Sequence, residues 1–178
     1  MFVVDRFLRD RYARWAPLLL RLIVGFGFME HGLAKLTRGP DAFAAILEAL
    51  DVPAPHLMAW LTISTEIGGG LAVLLGALLP LAAIPMAAVL VVAILTVHLP
   101  NGFSSIKLIS VSAAGAQFGP PGYECNLLYL ACLVALVMIG PGPFAIDNVI
   151  DAMPLGTSDN NARGISSIRE PFSRRFGS

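Results

Sequence analysis

The feature that most constrains this chain is the length of its apolar blocks. Between Glu66 and Lys107 it carries no Asp, Glu, Lys or Arg. Charged residues make up 13% of the 178 residues and hydrophobic residues 56%, whereas soluble domains carry about a quarter charged residues. So little polar side chain cannot cover a globule in water, and a bilayer is the expected solvent. The length suits one domain. A net charge of zero argues against a nucleic-acid partner.

The apolar blocks predict four spanning helices, at about residues 17–36, 57–79, 80–99 and 123–140. Pro17 suits a first helical turn, and Tyr12 and Trp15 stand where interfacial aromatic anchors belong. The first segment holds Arg21, Glu30, His31 and Lys35, and Glu66 is the only charge of the second. Gly68, Ala72 and Gly76 form a small-residue row expected to let another helix approach closely. Pro80 opens the third segment and Pro85 is placed to kink it. Almost nothing links the second and third segments, so they should form a tight antiparallel pair. Within the polar stretch 37–55, FAAILEAL reads as a short amphipathic helix, ended by Pro53 and Pro55. Residues 101–122 are expected to be a loop packed on, or slightly into, the outer end of the bundle, with a re-entrant hairpin as the alternative. The expected fold is all-α, an integral membrane four-helix bundle over residues 16–150. Residues 1–15 precede it. A tail at 151–178, rich from Leu155 in Ser, Asn, Arg and Gly, is expected to be disordered.

Orientation follows from the basic residues. Arg6, Arg9, Arg11 and Arg14 precede the first segment, and Arg163, Arg169, Arg174 and Arg175 follow the last. Only Arg38 and Lys107 lie in the opposite-side loops. The positive-inside rule then puts both termini on the cytoplasmic side, in agreement with an even number of spans. The first residues are mixed in charge and lead into a segment long enough to remain as a span, so no cleavable signal is read there. Cys125 and Cys132 are about 10 Å apart in rise on one helix, too far for a disulfide, and neither Cys-x-x-Cys nor Cys-x-x-Cys-His occurs.

That orientation sorts the polar residues by depth. His31 and Lys35 fall near the outer end of the first segment and share one face. Glu66 falls about 13 Å below the outer surface. His98 lies at the outer end of the third segment, and Glu124 and Asn126 open the fourth. The inner half holds little besides Arg21. An ionisable group in hydrocarbon costs roughly 2.5–3.5 kcal/mol on insertion scales, so such groups persist when paired or functional. Glu66, His98, His31 and Lys35 are therefore the candidate catalytic residues and are expected to meet in one network. They support two readings. One is a buried polar network that sets helix register, with Glu66 paired to Lys35 or His31. The other is an outward-facing pocket where a carboxylate and a histidine bind a quinone head group or relay protons. His31 and His98 are also placed to ligate a haem b, although isolated histidines carry little signal. No other metal site is expected. His56 should be solvated, and Glu30 points about 100° away from His31.

With these residues in view, the chain resembles the DoxX family of small bacterial membrane proteins. The resemblance rests on RLIVGFGFMEHGLAKL (21–36), EIGGGLAVLLG (66–76), TVHLPNGF (96–103), GYECNLLYL (122–130) and GPGPFAID (140–147), in the family's order. It implies a four-helix bundle in the bacterial inner membrane and places His31, Gly32, Lys35, Glu66, Gly69, His98, Asn101, Gly102 and Phe103 on the family pattern. It further implies an association with quinone-linked redox systems, with Glu66, His98, Asn101 and Phe103 lining the cofactor site. The expected partners are the lipid bilayer and a protein partner or further copies of the chain. A non-enzymatic membrane scaffold or assembly factor is the competing function. A solute carrier is disfavoured because four spans are few and no inverted repeat is visible.

Overall fold

The computed structural model describes residues 11–152. Expectations placed on residues 1–10 and 153–178, the disordered tail among them, lie outside that range. The helices are α1 (Ala16–Arg38), α2 (Pro40–Ala49), α3 (Pro55–Ser64), α4 (Gly70–Leu75), α5 (Leu79–Ala93), α6 (Glu124–Ile139) and α7 (Ile146–Asp151). A π turn, Thr65–Gly69, joins α3 to α4 in one continuous helical run. A second π turn, Ile94–His98, and a 3-10 turn, Leu99–Asn101, prolong α5. Proline sits in the first turn of α1, α2, α3 and α5, where its missing N–H costs no helical hydrogen bond.

Three helical runs are long and apolar enough to cross a membrane: Arg11–Arg38, Pro55–Leu75 and Leu79–Asn101. The protein is a multi-pass membrane protein. The fourth apolar segment forms α6, which has 16 residues and is about 24 Å long, against a hydrocarbon core of about 30 Å. All four runs contribute to one core, built from Val24 and Phe28, Val73, Leu79, Ala83, Met86 and Leu90, and Leu133 and Leu136. FAAILEAL forms most of α2, which folds back onto α3 through Ala44, Leu47 and Ala59.

The neighbours of α1 show how it packs on the second run. Arg21 meets Val73 and Leu74, Gly25 meets Gly70, Gly32 meets Ile67, and Lys35 meets Glu66. The two are antiparallel. The tightest crossing is Gly25 on Gly70. A Cβ on Gly25 would stand 2.7 Å from the Gly70 carbonyl oxygen, and one on Gly70 2.8 Å from that of Gly25. This corrects the expected close-approach row, since a Cβ on Gly68 would meet nothing within 4 Å. The buried stripe of the second run passes through Ala59, Ile63, Glu66, Gly70 and Val73, and Gly68 lies two residues, about 200°, around the helix from Gly70.

At the end of the bundle holding the Gly76–Leu78 turn, Arg21 organises the chain. It is only 2% exposed. Its Nε donates to Val73 O at 3.1 Å. Its two terminal nitrogens donate to Leu74 O and Phe144 O, at 2.8 and 3.3 Å, and to Pro141 O and Pro143 O, at 2.9 and 3.0 Å. The GPGPF segment after α6 is thereby wrapped around one side chain. Gly76 closes the same knot in a left-handed conformation (φ 66°), where a Cβ would lie 2.7 Å from Arg21 Cζ. Asp147 caps the start of α5, accepting from Leu78 N at 2.8 Å and Leu79 N at 3.5 Å.

The opposite end departs from expectation. Residues 101–122 do not pack down as a loop. They carry an antiparallel hairpin of β1 (Leu108–Ser112) and β2 (Gly115–Phe118), every residue of which is exposed. The structure is mostly helical, as expected, and this connection adds one short two-stranded sheet. Apolar and polar residues do alternate over Ile109–Ser112 and Ala116–Phe118, but these runs are only four and three residues long, and the register shifts between Leu108 and Ser110.

Candidate functional site

The last turns of α1 present His31, Ala34, Lys35 and Arg38 at three- and four-residue spacing, hence on one side of the helix. The π turn Thr65–Gly69 presents Glu66 from the neighbouring run. Such single-turn insertions are rare and concentrate at functional sites. Gly32 lets the two approach: a Cβ there would stand 3.0 Å from Glu66 Cβ and 2.7 Å from Ile67 Cγ1.

Lys35 Nζ donates to both carboxylate oxygens of Glu66. The Glu66 side chain is 6% exposed and that of Lys35 26%. The same ammonium lies 5.2 Å from the centroid of the Phe43 ring, within range of an attraction to the ring face. A carboxylate at this burial is costly without a partner. Removing one member of a fully buried pair costs about 3–5 kcal/mol, and the partial exposure of Lys35 lowers that figure here.

The pair stands at the edge of a cleft of about 210 Å³ between α1 and α2, lined by His31, Ala34, Lys35, Arg38, Phe43 and Ile46. Its walls hold three basic side chains, one aromatic ring and no acid. His31 and Arg38 make no hydrogen bond or ion pair with any described residue. The His31 ring meets Tyr129 of α6 edge-on, with centroids 6.4 Å apart, and Tyr129 in turn meets Phe28 at 5.4 Å. The cleft can thus offer N–H donors beside a flat apolar wall.

His98, Asn101 and Phe103 lie elsewhere. His98 Nδ1 is 3.1 Å from Pro121 O. Asn101 Nδ2 donates to the same oxygen and to Val97 O, each at 3.3 Å. Phe103 meets Tyr123 edge-on, with centroids 5.6 Å apart. These three fasten the end of α5 to the approach to α6. No hydrogen bond or ion pair connects them to Glu66, so the single network expected of Glu66, His31, Lys35 and His98 resolves into two clusters. Lys35 alone satisfies both Glu66 oxygens across the α1 crossing, and the His98 side chain is engaged by the chain before α6.

Phe43, Ile46 and Arg38 are site residues that the sequence reading missed. The clue was present, since an amphipathic α2 directly after α1 must fold back over its last turn. His56 is exposed, as expected, with Nδ1 3.4 Å from Asp41 Oδ1. Among the described residues, no group of three or more His, Cys, Asp or Glu could hold a metal ion.

The model of the DoxX family matches residues 16–99. The matched range includes the cleft, the Lys35–Glu66 pair and His98, whereas Asn101, Phe103, α6 and Asp147 lie beyond it. No curated protein and no solved structure matches the chain.

Proposed function

The chain belongs to the DoxX family, and on that premise we propose that it is the membrane subunit of a quinone-linked redox system, with the cleft between α1 and α2 receiving the quinone head. In this reading α6 is the fourth span, both termini are cytoplasmic and the cleft opens at the outer side of a bacterial inner membrane. The electron donor is a small sulfur compound or a partner protein.

One observation carries the proposal. The buried Glu66 holds the Lys35 ammonium at the edge of an open cleft that also presents His31 and Arg38. A pair that served helix register alone would need neither the opening nor two further unengaged bases. The residues suit the group. A quinone head needs donors for its carbonyl oxygens and a flat apolar wall, and Lys35, His31 and Arg38 provide the first, Phe43 and Ile46 the second. A bound quinone supplies acceptance of two electrons and two protons. Glu66 positions the ammonium, and His31 brings a ring nitrogen to the same cleft.

The second reading, a membrane scaffold or assembly factor, draws on the cluster of His98, Asn101 and Phe103, which is engaged in holding the chain together. The two readings separate on purification in mild detergent followed by mass spectrometry of the extracted small molecules. The wild type should carry quinone near stoichiometry, and Lys35→Met and Glu66→Gln should lose it while remaining folded. Folded wild-type protein without quinone, but with a stoichiometric protein partner, would overturn the first reading in favour of the second.

A further inference from the structure

The hairpin of β1 and β2 has no partner within the described chain, and its two faces differ. Residues directly opposite one another on paired strands share a face. Leu108 pairs with Phe118 and Val111 with Ala116, while Ser110 pairs with Gln117 and Ser112 with Gly115. Without the irregularity at Ile109, Leu108 would alternate onto the face of Ser110 and Ser112. The extra residue turns Leu108 to the face of Val111. One face therefore carries Leu108, Val111, Ala116 and Phe118. The other carries Ser110, Ser112 and Gln117, with Ile109, 69% exposed, beside Gly119, where a Cβ would come within 3.3 Å of its Cδ1. The apolar face is bare: Val111 is 72% exposed and Phe118 59%.

The root of the hairpin fixes its level. Gly119 N donates to Lys107 O at 2.8 Å, Gly122 N to Ser104 O at 3.0 Å, and Glu124 N to Phe103 O at 3.0 Å. Ser105 N donates to the Glu124 carboxylate at 3.0 Å. The root is thus bonded to the first residue of α6, close to where α5 and its continuation end. Those helices also carry exposed apolar side chains, Leu95, Leu99 and Leu128 among them. A two-stranded sheet is marginal by itself in water and needs a surface to lie on.

We infer that this hairpin lies in the interfacial layer of the bilayer, with Leu108, Val111, Ala116 and Phe118 against lipid and Ser110, Ser112 and Gln117 toward water. The physics is that of an interfacial amphipathic helix, carried out by a sheet. Lys107, the only charge between Glu66 and Glu124, stands at the root, where a lysine stem can run along apolar surface and its ammonium reach lipid phosphate.

The test uses full-length protein with Cys125→Ala and Cys132→Ala, reconstituted into phosphatidylcholine–phosphatidylglycerol vesicles. A polarity-sensitive fluorophore is attached through Val111→Cys or, in a separate preparation, through the adjacent Ser112→Cys. Phe118→Cys and Gln117→Cys form a second pair on the opposite strand. The labels at 111 and 118 should be blue-shifted and quenched by lipid-borne nitroxide. Those at 112 and 117 should be quenched by aqueous iodide. Equal iodide quenching at all four positions would show a hairpin standing in water and would overturn the inference. Protection of 111 and 118 from both quenchers, with disulfide cross-linking between copies through Val111→Cys, would overturn it in favour of a second copy of the chain.

Discussion

Replacing Arg21 with lysine should destabilise the bundle although it keeps the charge. The guanidinium serves five main-chain carbonyls from two distant segments, Val73 and Leu74 on one side and Pro141, Pro143 and Phe144 on the other. A lysine ammonium has three donors and no planar fork, so at least two of these bonds are lost. Hydrogen bonds to a charged group contribute about 1.5–3 kcal/mol each, which puts the loss at about 3–6 kcal/mol. Val73 O also accepts from Gly76 N, so it keeps a donor, which favours the lower part of that range. For a chain of this size, 1 kcal/mol moves Tm by about 2–4 °C, and Arg21→Lys should lower it by roughly 6–24 °C. Thermal unfolding of the purified protein in detergent, followed by tryptophan fluorescence, measures this directly. Arg38→Lys is the control, because Arg38 makes no hydrogen bond with any described residue. Arg21→Leu should prevent recovery of folded protein, since it strips every donor from Leu74, Pro141 and Pro143 in an interior that admits little water. A Tm for Arg21→Lys within a degree or so of the wild type would refute the reasoning, for it would mean the loop around Arg21 holds together without those bonds.

Gly25→Ala should lower Tm in detergent by an amount equivalent to about 1–3 kcal/mol of overpacking, because its Cβ meets backbone at Gly70, whereas Gly68→Ala should be neutral or slightly stabilising. Equal effects of the two would mean that α1 does not cross at Gly70. In spheroplasts, an impermeant thiol reagent should label Asp41→Cys and Ser105→Cys but not Arg9→Cys or Glu170→Cys, in a background free of the native cysteines. Equal labelling at position 170 would overturn the orientation with both ends inside.

The sequence by itself determined the solvent of this protein. Blocks of about twenty residues almost without charge belong in a bilayer whatever their neighbours do, because that argument concerns transfer from water and needs no partner. For the same reason all four apolar segments are helical in the structure, and α2 forms where its amphipathic pattern falls. Half of the candidate site was also legible. A carboxylate as deep as Glu66 requires a cation, and depth along the helices singled out Lys35 and His31. Only the tertiary structure decided which of these took the role and which side of each helix faced which neighbour. The Gly25–Gly70 crossing, the separation of His98 from Glu66 and the Phe43 wall of the cleft depend on how helices rotate and cross, which several simultaneous packings fix together. Arg21 shows the limit most clearly. Its partners are main-chain carbonyls 52 to 123 residues away, and carbonyls are carried by every residue, so no side-chain pattern marks which of them a buried arginine will gather.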